Sequence, residues 1–361
     1  MAAHAFDQTM ALRDEIKHPG LQIGGAVFIA LSFMLGQSVG NIWAGVVFGM
    51  AAYAVVANDV VQVFMTFINS NRHIHWFWLY LGALAVLTIT LWAGFYAYQG
   101  DISYGRLDAK GYIPDLQIQW YHTLVPGALI ILTKFSHVPV STSLIMLLPF
   151  TDKELGWGIV EKSMYGYAVA FFVSLLIWYR VEKYLKENPT KITPHWGWRV
   201  AQWGITGLLL YSWLTHDTAN MAVVLPKPLT IEQVALINAL LGVGLAYTFW
   251  QKGGAIGNIV TKSSGTDRVI PATMIDLFYF AMLIVFKEWS QIPMSTTWVF
   301  IGLIAGREFA IRHVNREDLG QSTMERFNVA RHMAWKNTSK LLMGFGVSYL
   351  VILLVERISN L

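Results

Sequence analysis

The sequence predicts an all-α polytopic membrane protein. We expect two inverted-topology repeats of about five membrane segments each, with paired short half-helix segments, and one extra C-terminal helix. Of the 361 residues, 55% are hydrophobic and 13% are charged, whereas a soluble chain carries about 25% charged residues. Several apolar runs approach the roughly 20 residues that span the hydrocarbon core of a bilayer. Two polar motifs inside these runs occur twice in the same order, which indicates an internal duplication.

The composition also excludes several classes of function. The chain has no cysteine, which excludes disulfides, thiol chemistry and cysteine-ligated metals. The formal net charge of +4 is small, and no basic stretch is interleaved with aromatic residues as in a nucleic-acid-binding domain. No Gly-rich loop leads to a Walker lysine, so ATP hydrolysis is not expected. We therefore expect the lipid bilayer, and no nucleic acid, as a partner.

Ten apolar stretches follow one another along the chain. They are Leu21–Gly40, Ile42–Phe67, Trp76–Tyr98, Tyr121–Phe150, Val160–Tyr179, Trp198–Leu225, Ile231–Trp250, Ile270–Trp289, Ile292–Ala310 and Leu341–Val355. The fourth stretch is too long for one span and contains Pro139, so we predict two shorter helices that meet at Ser136–Pro139. About eleven membrane segments and no soluble domain result.

The segments divide the chain into five regions. We predict a cytosolic tail, two membrane repeats, a basic cytosolic segment and a C-terminal transmembrane helix, at 1–20, 21–150, 151–312, 313–337 and 338–361. Lys and Arg are concentrated in 180–199, 251–268 and 307–336, whereas the loop 100–119 carries three aspartates. Because cytoplasmic loops carry an excess of Lys and Arg, we predict a multi-pass protein of the cell (cytoplasmic) membrane with a cytoplasmic N-terminus.

The first duplicated motif contains a carboxylate inside an apolar segment. Asp59 and Asp217 are 158 residues apart (217 − 59), and Gln62 and Asn220 have the same separation. An Asp at mid-bilayer costs roughly 2.5 to 3.5 kcal/mol on insertion scales, and so marks a functional site by default. Neighbouring amides and hydroxyls supply the oxygen ligands that suit Na⁺. The predicted coupling-ion residues are Asn58, Asp59, Gln62, Asp217, Thr218 and Asn220, with Na⁺ at Asp59 and Asp217.

The second duplicated motif suits an anion. Pro139–Val140–Ser141–Thr142–Ser143 recurs as Pro293–Met294–Ser295–Thr296–Thr297, 154 residues later (293 − 139). Proline is tolerated in the first turn of a helix, and a helix N-terminus binds anions through its unpaired N–H groups. We predict two short helices whose N-termini face each other. The predicted anion ligands are Ser141, Thr142, Ser143, Ser295, Thr296 and Thr297, with Lys134 and His216 as additional candidates.

Both motifs together indicate transport. An odd number of segments in each copy places the copies in opposite orientations across the membrane. Inverted repeats with polar breaks at matching positions are typical of secondary transporters, whose sites lie near the midplane. No cofactor is expected beyond a coupling ion, which is Na⁺ or H⁺ because protonation of the same carboxylates can replace the metal ion.

The motifs resemble those of a known family. Ala57–Asn58–Asp59–Val60 resembles the Gly-Ala-Asn-Asp-Val-Ala-Asn signature of the inorganic phosphate transporter (PiT) family of sodium- or proton-coupled phosphate symporters. Asp217–Thr218–Ala219–Asn220 is similar to its second copy. The two Pro-x-Ser-Thr motifs resemble the family's Pro-Val-Ser-Thr-Thr-His motifs. The resemblance implies an inverted-repeat fold, Asp and Asn at coupling-ion sites, and Ser and Thr around the phosphate.

Five departures from the family pattern lie in the predicted site. Val61–Gln62 and Thr215–His216 stand where the family has Ala-Asn, and Leu144 and Trp298 replace its histidines. Ser143 replaces the second Thr of the first motif. The fold interpretation is unaffected, but the substrate is left open between phosphate and another tetrahedral oxyanion.

The resulting hypothesis is a symporter that moves inorganic phosphate with Na⁺ or H⁺ by alternating access, and not an enzyme. A permease of the same fold for sulfate or another small oxyanion is one alternative. The other is an intramembrane enzyme acting on a lipid phosphate, in which Asp59 and Asp217 hold a metal or act as acid and base. Duplication favours transport, since catalysis does not need pseudo-symmetry. A homo-oligomer is compatible with the sequence.

Overall fold

The structure is a computed structural model. It describes residues 19–108, 112, 117–136, 140–187, 196–253, 268–289, 292–315, 339, 342–343 and 345–358. Most of the predicted cytosolic tail and of the basic segment 313–337 lies outside these residues, as does the junction at 137–139 between the two helices of the fourth apolar stretch.

The described chain is helical almost throughout. The helices are α1 (Pro19–Ser38), α2 (Ile42–Val55), α3 (Val61–Ser70), α4 (Trp76–Ala97), α5 (Leu124–Ser136), α6 (Thr142–Leu147), α7 (Lys153–Glu187), α8 (Trp196–Ala222), α9 (Ile231–Trp250), α10 (Val269–Trp289) and α11 (Thr296–Val314). Residues 345–358 are also helical. No β-strand occurs in the described part of the chain, so the predicted all-α class is confirmed.

The largest boundary difference concerns α7. The apolar pattern predicts a segment over Val160–Tyr179, whereas the helix runs for 35 residues from Lys153 to Glu187. Hydropathy detects only the part of a helix that can lie in lipid, and the polar ends continue past it. An exposed i,i+4 pair between Lys183 and Glu187 lies in the last turns of this extension, where such pairs support helical structure in water.

Five helical stretches among the described residues are long and apolar enough to cross a membrane, judged by length and composition alone. They are Ile42–Ser70, Trp76–Ala97, Lys153–Tyr184, Ile231–Trp250 and Val269–Phe286. Their outward faces carry exposed large apolar side chains, as expected where lipid is the solvent. Examples at 59% to 67% exposure are Ile89 on α4, Phe172 and Leu176 on α7, and Val285 on α10.

Close packing of α11 against α7 fixes the position of the first turn of α11. Gly302 and Gly306 on this helix form a small-xxx-small pattern that lies against α7. A Cβ at either position would collide with the backbone carbonyl of Tyr167 or Phe171, so only glycine permits this approach. The Ser174 hydroxyl also donates to Leu303 O at 2.6 Å across the same contact. The pairing holds α11 so that its first residue, Thr296, lies in the interior of the bundle.

Candidate functional site

The first carboxylate lies on a local irregularity of a long helix. Helices α2 and α3 are joined without a break by a π-helical turn, Val56–Val60, that contains Asn58 and Asp59. A π turn inserts an extra residue into a helix and occurs frequently at functional sites. Both polar side chains are almost completely buried. The hydropathy pattern predicted the helix and its polar residues but not this change of helix type.

Asp59 is surrounded by donors from three segments of the chain. Its carboxylate accepts hydrogen bonds from the hydroxyls of Thr142 and Thr297, the latter at 3.1 Å. Gln62 Nε2 donates to it at 3.2 Å, and Asn58 Nδ2 also donates to it. The first Asp motif and both Pro-x-Ser-Thr motifs therefore meet at this carboxylate.

Asp217 has a matching environment. It lies near the end of α8, in a buried run from Ser212 to Ala222. Thr296 Oγ1 donates to its carboxylate at 2.7 Å, and Asn220 Nδ2 donates to it from the next turn. Thr142 and Thr296 are 154 residues apart, as are the two Pro motifs, so equivalent hydroxyls bind equivalent carboxylates.

Further hydrogen bonds cross between the two Pro-x-Ser-Thr segments in the same paired manner. The Ser143 hydroxyl donates to Met294 O at 2.9 Å, and the Thr297 hydroxyl contacts Val140 O at 3.2 Å. These are equivalent positions of the two copies with their roles exchanged. Contacts that exchange in this way are expected of two segments related by a local two-fold axis.

The two carboxylates are close together. Asn220 Nδ2, which binds Asp217, also lies 3.2 Å from Thr142 Oγ1, the hydroxyl that donates to Asp59. Two side chains therefore connect one carboxylate to the other. Among the described residues, no cationic side chain forms an ion pair with either of them within 4.0 Å.

Both Pro-x-Ser-Thr motifs begin helices at the predicted residues. Ser141 caps α6 by accepting from Leu144 N at 3.2 Å, and Ser295 caps α11 by accepting from Trp298 N at 3.2 Å. The expectation of two short helices holds only for the first, since α6 has 6 residues and α11 has 19. Because of its length, α11 can develop a substantial macrodipole, whereas α6 cannot.

Two amide oxygens in the site are buried without a hydrogen-bond donor in the described structure: Gln62 Oε1 and Asn220 Oδ1. The two residues are equivalent positions of the duplicated motif. A buried acceptor without a partner costs free energy unless a donor or a cation binds to it. Together with the adjacent carboxylate and hydroxyl oxygens, these amides form two oxygen-rich clusters, which suit a hard cation. No group of three His, Cys, Asp or Glu residues that could hold a metal ion occurs in the described chain.

Three predicted residues are less closely connected to these clusters. The Thr218 hydroxyl donates to Leu214 O in its own helix at 2.9 Å. The His216 ring is buried and its Nδ1 lies 2.8 Å from Ser212 O. The backbone of Lys134 belongs to α5, but its side chain lies outside the described part of the structure. Their proposed roles as ligands remain predictions.

Two buried charged residues near the site were not predicted. Asp276 on α10 accepts from Thr66 and Thr206, each at 2.6 Å. Arg106, in a loop, donates from Nε to Thr215 O at 2.8 Å. Asp276 could have been detected as a lone Asp within an apolar run. Arg106 carried no signal beyond its place in an otherwise acidic loop.

Comparison with known proteins supports the fold. No protein-family model matches the sequence, and neither does any curated protein. The chain is similar to a solved structure described as "The sodium-dependent phosphate transporter", with a TM-score of 0.50 and 14% sequence identity over 91% of this chain and 100% of that one. At this identity the likeness concerns the fold alone. The protein therefore has the helical membrane fold of that transporter, and the resemblance found in its four motifs is confirmed at the level of the fold.

Proposed function

We propose that the protein is a secondary active transporter that moves inorganic phosphate together with Na⁺ across the cell membrane. The observation that carries the proposal is the pair of equivalent carboxylate–hydroxyl–amide clusters buried in the bundle at Asp59 and Asp217. The name of the structurally similar protein supports both phosphate and Na⁺. Inverted orientation of the two repeats and a cytoplasmic N-terminus belong to the same proposal.

The cation part rests on the oxygen atoms available. Each cluster offers one carboxylate, at least one threonine hydroxyl and one amide oxygen without a donor. No described ion pair neutralises either carboxylate, so the ionised form of each is available to a cation that arrives from outside. Na⁺ accepts such hard oxygen ligands. Protons are the alternative coupling ion, since protonation of Asp59 and Asp217 neutralises the same charge.

The anion part rests on the first turn of α11 and on the threonine hydroxyls. The first backbone N–H groups of a helix have no acceptor within the helix, and the macrodipole of α11 favours negative charge there. Bound Na⁺ next to the anion offsets the repulsion from the two carboxylates. The coupling of the two substrates follows, because the anion site beside two carboxylates is electrostatically unfavourable until Na⁺ is bound.

Alternating access is proposed to occur at the contacts between the Pro-x-Ser-Thr segments. The hydrogen bonds Ser143–Met294 and Thr297–Val140 connect the two copies directly. Movement of one copy relative to the other would break these bonds and expose the carboxylates to one side at a time. Transporters built from repeats generally move in this manner around a fixed site.

The two alternatives differ in the support they have. The described donors suit any small tetrahedral oxyanion, so sulfate transport remains the nearest alternative. An intramembrane lipid-phosphate enzyme is less well supported, since Asp59 and Asp217 are at most 1% exposed.

Uptake of labelled phosphate into proteoliposomes tests the proposal. We expect uptake driven by an inward Na⁺ gradient that exceeds uptake with K⁺ replacing Na⁺. A pH gradient applied without Na⁺ tests proton coupling, and labelled sulfate in parallel tests the oxyanion. Absence of gradient-driven uptake of either anion, in vesicles shown to contain folded protein, would contradict the transport assignment.

A further inference from the structure

Arg106 is a buried cation in a segment that connects two helices. It begins a short 3₁₀ turn, Arg106–Asp108, between α4 and α5. Its side chain is 1% exposed and is among the largest fully buried side chains of the protein. The Nε–H donates to Thr215 O at 2.8 Å. Thr215 precedes Asp217 by two residues on α8, so this hydrogen bond directs the guanidinium to the Asp217 half of the site.

The other end of the guanidinium has no partner in the described structure. Both Nη1 and Nη2 are buried and lack a hydrogen-bond acceptor among the described residues. Burial lowers the pKa of Arg106 to about 10, which leaves the group protonated at neutral pH. A buried charged donor without an acceptor costs free energy, and here both terminal nitrogens of one guanidinium lack an acceptor.

The nearby charges do not satisfy Arg106. Asp217 attracts it electrostatically, but the two do not form an ion pair within 4.0 Å. The two carboxylates nearest in sequence, Asp101 and Asp108, are paired with Lys227 instead, at 3.9 and 2.8 Å. A salt bridge within the described protein therefore does not account for the burial of this arginine.

A second buried cation lies in the same region. Lys162 on α7 is 6% exposed. It lies close enough to Arg106 for the two positive charges to repel each other. Its Nζ donates to Ile292 O at 2.7 Å, directly before the segment that leads into α11. The next residue, Ser163, accepts from Ser295 N at 2.8 Å. Two positive charges and the first turn of α11 therefore converge on the Asp217 side.

We propose that Arg106 is an anion-binding residue whose two terminal nitrogens bind two oxygens of a tetrahedral oxyanion beside Asp217. The inference rests on the proposed function and deepens it by assigning the anion to one half of the pseudo-symmetric site. With Nε held by Thr215, the Nη1–Nη2 edge is a fixed fork, and such forks match the spacing of oxyanion oxygens. Lys162 and the α11 N-terminus add positive potential on the same side.

Substitution of Arg106 tests the inference by isothermal titration of phosphate into the purified protein in detergent with Na⁺ present. Arg106→Gln removes the charge and most of the fork, and we expect affinity to fall about 100-fold, within the range for two charge-assisted hydrogen bonds. Arg106→Lys keeps the charge but not the fork, and we expect a loss of about 10-fold. Arg312→Gln, which breaks only the partly exposed pair with Glu308, is the matched control and should bind as wild type.

The outcomes separate this inference from the function on which it rests. Unchanged phosphate affinity in folded Arg106→Gln would overturn the role of Arg106 while leaving transport intact. Failure of the wild type to bind phosphate or sulfate would instead overturn the proposed function. If the variants do not fold, a structure of the wild type with selenate, located by its anomalous signal, decides the question. Selenate against Nη1 and Nη2 supports the assignment, and selenate bound elsewhere contradicts it.

Discussion

Both halves of the candidate site have a threonine hydroxyl and a side-chain amide that donate to the carboxylate, but on different backbones. Asp59 lies on a π-helical turn in the middle of a continuous 29-residue helical stretch, whereas Asp217 lies near the end of the regular helix α8. The threonine that binds the first carboxylate begins a helix of 6 residues, and its counterpart begins one of 19. Equivalent side-chain contacts therefore do not require equivalent backbone paths.

The halves also differ in how their Pro-x-Ser-Thr segments are held. In the first, Asn58 binds both polar groups of Val140, donating to its carbonyl at 2.6 Å and accepting from its N–H at 3.1 Å. His216 stands at the equivalent position of the second half, where its Nδ1 lies 2.8 Å from Ser212 O of its own helix. There Ser163 and Lys162 of α7 hold the segment. Hydrogen bonds from a threonine and an amide to the carboxylate occur in both halves, but the contacts that hold the two Pro-x-Ser-Thr segments differ.

The largest expected effect falls on both halves alike. Asp59→Asn and Asp217→Asn each remove a negative charge from one cluster, so coupled phosphate uptake should fall to background in both variants. Asp152→Asn is the matched control, because Asp152 caps α7 and asparagine caps equally well. Normal uptake in either variant would show that the two carboxylates are not functionally equivalent.

The second prediction is that the two halves differ in how much one support residue contributes to stability. Asn58→Ala leaves the N–H of buried Val140 without its described acceptor and leaves its carbonyl with only the longer contact to Thr297, which we expect to lower the free energy of unfolding by about 2 kcal/mol. Ser163→Ala removes a single described hydrogen bond to the second Pro-x-Ser-Thr segment, the one from Ser295 N, so its cost should be clearly smaller. Thermal unfolding in detergent, with both variants in parallel, measures the difference. Equal destabilisation would contradict the asymmetry of support.

The third prediction is an equal loss of Na⁺-coupled uptake when the threonine of either half is changed. Thr142→Val and Thr296→Val each remove one hydroxyl donor to a buried carboxylate while keeping the side-chain shape. A hydrogen bond to a charged group is worth about 1.5 to 3 kcal/mol, so Na⁺-coupled uptake should fall at least about 10-fold in both. Thr133→Val removes a hydroxyl that donates within its own helix and should have little effect. A loss confined to one threonine variant would indicate that only that half binds the coupling ion.

The smallest effect tests the support of the second half alone. Ser163→Ala leaves Ser295 N without its described acceptor, and a single hydrogen bond between membrane helices averages about 0.6 kcal/mol. We expect a small fall in the midpoint of thermal unfolding and a modest loss of phosphate affinity, since the start of α11 is less well held. A loss as large as that from Thr296→Val would mean that Ser163 itself contacts the anion.

The sequence predicted those features of the candidate site that are local or repeated. The helix starts at Thr142 and Thr296 follow from the residues just before them, since proline and a capping serine act within one turn. The pairing of Asp59 with Asp217 was predicted because both motifs recur in order. Arg106 was missed because its partner Thr215 is 109 residues away, and one arginine in a loop carries no pattern.

Taken alone, the sequence determined the all-α membrane class, most helix bounds and the two duplicated motifs, because hydropathy and capping depend on residues within a few turns of each other. Tertiary structure alone decided the π turn at Asp59, the exchanged contacts of Ser143 and Thr297, and the burial of Arg106 and Asp276. These depend on which distant segments meet. A buried polar group takes its partner from whatever lies nearest in space, and in this protein that partner is often more than 100 residues away along the chain.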